Sequence, residues 1–178
     1  MSKISEHYLY PKIEEWLDNI VGCQYTAVRK FLWDRQPDVI GVKLTGYRQV
    51  KINLYLIEVK VIESLTTVYN VIGELEISLA RFKKRSSVFS SLYPYIAVLE
   101  DVKFKEIREY ADNRNVGVIR IADDFSLVIE REPTPLTLNK ALSKDRFKDH
   151  EWIIDEDEKK IFKDFIYRVG WWKIRERL

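Results

Sequence analysis

Along residues 50–62, VKINLYLIEVKVI, apolar side chains fall on both faces of an extended chain. Alternation puts Ile52, Leu54, Leu56, Glu58, Lys60 and Ile62 on one face and Ile57, Val59 and Val61 on the other. The segment therefore predicts a central strand buried on two sides. Glu58 and Lys60 interrupt an apolar face, where an uncompensated charge is costly, so they need partners or a metal.

Upstream, Asp38 shares a face with Ile40, Val42 and Leu44, and Pro37 stands where a strand tolerates proline, at its start. The polar stretch 45–51 with Gly46 joins this strand to the central one as a hairpin with a long loop. If residue 44 lies opposite 52, Asp38 comes opposite Glu58 with Cβ atoms about 4.5 to 5.5 Å apart. A slip of one residue would turn the two carboxylates to different faces. Residues 24–33 contain a further strand-like run. Before it, Ser2 and Ser5 are the N-cap candidates of a helix running to about Asn19 and closed near Gly22. On that helix Tyr10, Ile13, Leu17 and Ile20 form a stripe from whose middle Glu6 projects, with Glu14 on its margin.

Downstream, Thr66 or Thr67 is expected to cap a helix of about 17 residues whose stripe is Val68, Val71, Ile72, Leu75, Leu79 and Phe82. Glu74 lies at the stripe's edge, and Lys83, Lys84 and Arg85 fall at the end where a helix favours cations. A strand over 93–99, a helix over 105–113, short strands over 116–121 and 127–129, and a helix over 155–169 follow. This order predicts an α/β fold with a mixed central sheet flanked by helices and a helical C-terminal extension. The boundary falls near 132, giving one domain over 1–132 and an extension over 133–178 packed on the domain or on a partner subunit.

Composition narrows the classes. The chain has 178 residues, 46% hydrophobic, enough for one sizeable core. A net charge of +2 is too small to imply nucleic-acid binding by itself, so any basic surface must be local. One cysteine allows no internal disulfide, and the two histidines His7 and His150 make a structural zinc site improbable. No apolar run approaches the roughly 18 residues of a membrane span and the N-terminus lacks a signal-peptide core, so a soluble, cytoplasmic protein is expected.

Glu6, Asp38 and Glu58, with Lys60 two positions on, can converge at one end of the sheet. Clustered carboxylates raise one another's pKa unless a cation sits among them, and oxygen-only ligands suit Mg²⁺ or Mn²⁺. At Pro37-Asp38 and Glu58-Val59-Lys60, nineteen residues intervening, the sequence resembles the PD-(D/E)xK nuclease superfamily, the fold of many restriction endonucleases, archaeal Holliday-junction resolvases and phage-type exonucleases. The likeness spans about residues 5–130. It implies a restriction endonuclease-like fold and Mg²⁺-dependent hydrolysis of phosphodiester bonds in DNA. Asp38, Glu58 and the Val59 carbonyl would hold the metal, Glu6 would bind it directly or through water, and Lys60 would position the attacking water. Many members carry Gln where this chain has Glu74, so Glu74 is either a fourth carboxylate at the site or a solvated helix-edge acid; Glu14 is a further accessory candidate.

Three alternatives stand beside this reading. In the first the chain keeps the fold without the activity, as a nucleic-acid-binding or assembly module; in the second the substrate is RNA; in the third Glu58 and Lys60 form a structural pair on the sheet rim. Lys83, Lys84, Arg85, Lys173 and Arg175 are the basic residues placed to meet a backbone phosphate, and the resemblance implies a homodimer, with Trp171 and Trp172 as its contacts.

Overall fold

In the computed structural model the strand Lys51–Lys60 (β3) is the third of a six-strand path, flanked on both edges and covered on both faces. Residues 5–47, 49–62, 64–99, 104–138, 142, 146–147 and 149–177 are described; Ser2, an expected helix cap, lies outside them. The other strands are Tyr25–Val28 (β1), Val39–Thr45 (β2), Ser91–Leu99 (β4), Gly117–Ile121 (β5), Leu127–Arg131 (β6) and Leu136–Thr137 (β7). Their order is β1-β2-β3-β4-β5-β6, and the short β7 pairs with the start of β4. The pairs β1/β2, β2/β3 and β5/β6 are antiparallel, whereas β3/β4 and β4/β5 are parallel, so the seven-strand sheet is mixed.

Two helices, Leu65–Arg85 (α2) and Phe104–Arg114 (α3), make the parallel crossovers. Both connections advance the sheet in the same direction, and right-handed crossovers then put both helices on one face. That face holds the larger core: Ile40, Leu54 and Leu56 of the sheet against Val68, Val71, Leu75 and Phe82 of α2 and Ile107 of α3. Val39, Ile57 and Val59 point to the opposite face, where Leu9, Ile13, Trp16 and Leu17 cover them. The two-sided burial expected of residues 52–59 is thus what divides the interior into two clusters.

The N-terminal segment is not one long helix. A 3₁₀ turn over Glu6–Tyr8 leads into a short α-helix, Tyr10–Trp16 (α1), with Pro11 in its first turn, and then into a π-helical turn over Leu17–Val21. Ser5 makes no side-chain cap. Gly22 closes the segment in the left-handed conformation, and the Cys23 amide returns to the Leu17 carbonyl. The wider π turn rotates the last residues off the stripe, so Ile20 is exposed rather than buried. At the head of α2 the cap is Ser64, two to three residues before the threonines, accepting from the Thr67 amide.

The C-terminal segment contains the helices Glu156–Val169 (α4) and Trp171–Arg175 (α5). Ile161, Phe162, Phe165 and Ile174 from them, with Phe147 and Ile153, join the same core cluster as β2 and α2. Among the described residues no helix is long and apolar enough to cross a membrane.

Candidate functional site

The antiparallel register of β2 and β3 pairs Leu44 with Ile52 and Val39 with Ile57. One step further, Asp38 comes opposite Glu58, at the end of β2 where the chain enters the sheet. Alternation puts Asp38 on the same face as Ile40, and Glu58 and Lys60 on the same face as Leu56. Both acids are buried, and Lys60 is nearly so.

Lys60 stands at the centre of the cluster. Its Nζ lies 3.6 Å from Glu6 Oε2, 3.7 Å from Asp38 Oδ2 and 3.4 Å from Glu74 Oε2. Three elements supply these acids: the 3₁₀ turn before α1 brings Glu6, β2 brings Asp38 and the middle of α2 brings Glu74. Burial alone would lower the Lys60 pKa, but the carboxylates of Asp38, Glu6, Glu74 and Glu58 outweigh it and the net shift is upward. Lys60 therefore keeps its proton, acting as a donor and a charge rather than as a base.

Asp38 is the most firmly held of the acids. Its Oδ1 accepts from the Tyr10 hydroxyl at 2.7 Å and its Oδ2 from the Val59 amide at 2.8 Å. Burial, the bond to Asp38 and the nearby acids push the Tyr10 hydroxyl well above its usual pKa, so it remains a donor. Tyr10 belongs to the core stripe of α1, and its role at the site escapes a reading that counts it only as apolar. The available signal was its hydroxyl, since a buried tyrosine must place its O–H on an acceptor.

Glu58 is the least satisfied. Among the described residues its Oε1, like Glu74 Oε2, is buried without a hydrogen-bond partner; the Lys60 ammonium is near Glu74 Oε2 in distance but not in bonding geometry. Burial, followed by the charges of Asp38 and Glu74 and opposed by those of Lys60 and Arg35, pushes the Glu58 carboxyl up to about 8. The folded protein then binds more protons than the unfolded chain between the ordinary value of 4.5 and 8. The stability linked to this proton is complete below the unfolded pKa and is lost as pH rises through the folded one. Glu58→Gln should consequently lose less stability than wild type between pH 5 and 8 in EDTA, by on the order of 2–3 kcal/mol. Urea titrations at several pH values measure this, and parallel slopes for the two proteins would contradict it.

As the side chains stand, no group of three or more His, Cys, Asp and Glu among the described residues is gathered to hold a metal ion. The reasons are visible in the contacts: the Lys60 ammonium sits between three of the acids, and both Asp38 oxygens have protein donors. The donor set nevertheless fits a hard divalent cation in kind, being carboxylate oxygens of which two, Glu58 Oε1 and Glu74 Oε2, are buried without a hydrogen-bond donor.

The remaining candidates lie elsewhere. Glu14 is half-buried with Asp18 and Arg168 as its charged neighbours, and burial raises its pKa. Arg85 is committed to Asp34 and Asp155. Lys83 lines a cleft of about 290 Å³ with Glu76, Pro94 and Arg114, and Lys84 is exposed. Lys173 lies over the Trp172 ring at 5.3 Å, and Arg175 is exposed. Arg168 of the preceding helix donates to the Thr26 carbonyl within β1, and Arg177, just past their helix, donates to that of Leu44 at the other end of β2. The length of β2 puts this end roughly 20 Å from Asp38.

The loop between β1 and β2 ends at Asp38 and was not singled out from the sequence. The amides and carbonyls of Leu32 and Arg35 bond reciprocally, at 2.8 and 3.1 Å, around Trp33 and Asp34, which have φ of 53° and 60°. Two successive left-handed residues make a type I′ turn, ordinarily the place of Asn and Gly. Other elements hold it: Trp33 is buried and donates from Nε1 to Glu158, its carbonyl accepts from Arg81, and Asp34 pairs with Arg85.

No protein-family model, curated protein or solved structure matches the chain.

Proposed function

We propose that this protein is a metal-dependent nuclease hydrolysing phosphodiester bonds in DNA, with a restriction endonuclease-like fold. One observation carries the reading: a buried lysine among three acids, beside a fourth carboxyl with an unpartnered oxygen, where two adjacent strands of a mixed sheet come together. A purely structural lysine would be expected to take one close hydrogen-bonded acid and leave no buried oxygen orphaned.

Asp38, Glu58 and the Val59 carbonyl would hold Mg²⁺ or Mn²⁺, with Glu6 joining directly or through water and Glu74 beside them. The cation, when bound, lowers the pKa of a water and offsets charge on the phosphate oxygens. The protein's own part is positional: the Tyr10 hydroxyl and the Val59 amide fix the Asp38 carboxylate. Lys60, as an ammonium, donates to the attacking water or to a phosphate oxygen. Glu58 must give up its proton to serve as a ligand, which ties metal affinity to rising pH.

The alternative of an inactive nucleic-acid-binding or assembly module is favoured by a different observation, that Lys60 already supplies a cation to the acids. Cleavage of supercoiled, linear, branched and single-stranded DNA in Mg²⁺ or Mn²⁺ separates the two. Thermal melting gives a second readout: millimolar cation should raise Tm of the wild type, more at pH 8 than at pH 6, and not that of Asp38→Asn. Absence of both cleavage and a Tm shift would leave the inactive module.

A further inference from the structure

We propose that Arg29 and Arg35, on the loop between β1 and β2, are the cations that hold the nucleic-acid backbone at the carboxylate cluster, and that the C-terminal helix fixes the loop that presents them. The proposal rests on the phosphodiester reading of the site and adds to it where the substrate lies. A phosphate approaching three carboxylates and one ammonium meets a negative surface unless cations stand at the rim. The basic residues suggested by the sequence do not provide them. Arg85 is engaged in ion pairs, Lys83 and Lys84 lie about two and a half turns along α2 from Glu74, and Lys173 and Arg175 are at the far end of the sheet.

The loop arginines are at the cluster itself. The Arg29 amide bonds to the Asp38 carbonyl at 2.9 Å, so Arg29 sits across from the acid, while Arg35 precedes it by three residues. Arg35 is also close enough for its charge to act on Glu58. Among the described residues its guanidinium makes no ion pair or side-chain hydrogen bond, leaving its donors for a ligand. Arg29 is exposed and spends two donors on one neutral acceptor, Gln36 Oε1, at 3.3 and 3.1 Å; Gln36 returns a bond to the Arg29 carbonyl at 2.7 Å. This mutual clamp orients the guanidinium without neutralising it. Planar guanidinium donors suit phosphate oxygens.

The loop's left-handed turn is held by contacts with α2 and α4: Arg81 on the Trp33 carbonyl, Glu158 on the Trp33 indole at 3.0 Å, and Asp157 on the Asp34 amide at 3.1 Å. A turn built of Trp and Asp has little preference of its own for this shape, so the helices decide where the arginines stand.

The test is binding of a fluorescein-labelled DNA duplex to the full chain by anisotropy, in EDTA so that no cleavage intervenes, over a range of KCl. The double variant Arg29→Gln/Arg35→Gln should bind at least about tenfold more weakly and lose about 1 to 2 from the slope of log K against log salt. Arg29→Lys/Arg35→Lys should recover part of the loss, and circular dichroism melts should show both variants folded. Lys83→Gln/Lys84→Gln should bind as wild type does. Trp33→Phe, which removes the indole donor to Glu158, should weaken binding without changing the salt slope. If the duplex binds wild type and the double arginine variant equally, with equal slopes, or does not bind wild type at all, the proposal is overturned. Metal-dependent cleavage, measured separately, then shows whether the catalytic reading survives.

Discussion

Lys60→Ala should lose DNA cleavage by about 10²- to 10³-fold, the effect ordinarily seen when one proton-handling or charge-stabilising group is removed from a reacting centre. The same change removes the only cation within ion-pair distance of Glu6, Asp38 and Glu74 among the described residues. Without it the acids repel across a partly buried space, so metal-free protein should melt at lower temperature, and Mg²⁺ should recover more Tm in the variant than in wild type. Turnover at saturating metal separates the two readings of the site. A lysine that merely balances charge predicts lower Tm with unchanged turnover once metal is present. A lysine acting on the water or phosphate predicts a turnover defect that saturating metal does not repair. Lys60→Met, which keeps the aliphatic stem without the charge, guards against loss through packing alone. Cleavage by Lys60→Met at the wild-type rate in Mg²⁺ would remove Lys60 from the chemistry.

The parts of the site that could be read from sequence are those fixed by alternation. Once residues 38–44 and 50–62 are taken as strands joined by a hairpin, one register buries both apolar faces, and it sets Asp38 beside Glu58. The same logic located Glu6 approximately: the helix drawn through it is really three short pieces, yet the first turn still reaches Lys60. What alternation and helical period do not encode are contacts between side chains remote in sequence. Tyr10 reaches Asp38 across 28 positions and Trp33 reaches Glu158 across 125. The turn at Trp33 and Asp34 lacks the Gly or Asn that announces a left-handed backbone, because its shape is imposed by its neighbours. β7 consists of two residues, too few for any period, and exists because β4 has an edge free where β5 has not yet begun.

Glu158→Ala should be the most destabilising single change in the C-terminal segment. The residue is fully buried, and its carboxylate gathers the Trp33 indole at 3.0 Å, the Ser87 amide and hydroxyl at 2.9 Å each and the Val88 amide at 3.2 Å. Four donors converge on two oxygens, joining α4 to the loop before β2 and to the connection between α2 and β4. Removing the acceptor leaves the Trp33 indole and the Val88 amide unpaired in the interior and the two Ser87 donors unpaired and half-buried, at a cost of about 3–5 kcal/mol. At roughly 2–4 °C per kcal/mol for a chain of this size, Tm should fall by about 10 °C. Glu158→Gln keeps one acceptor oxygen and turns an NH₂ toward the remaining donors, so its loss should be intermediate. Urea unfolding followed by tryptophan fluorescence and by circular dichroism gives both magnitude and cooperativity. Because Phe162 and Phe165 of α4 share the core of β2 and α2, the two probes should move together in one transition at a lower midpoint. A midpoint within about 0.5 kcal/mol of wild type, the range of an ordinary surface change, would mean that Glu158 does not fasten the segment. The turn at Trp33 would then need another support to keep Arg35 beside the acids.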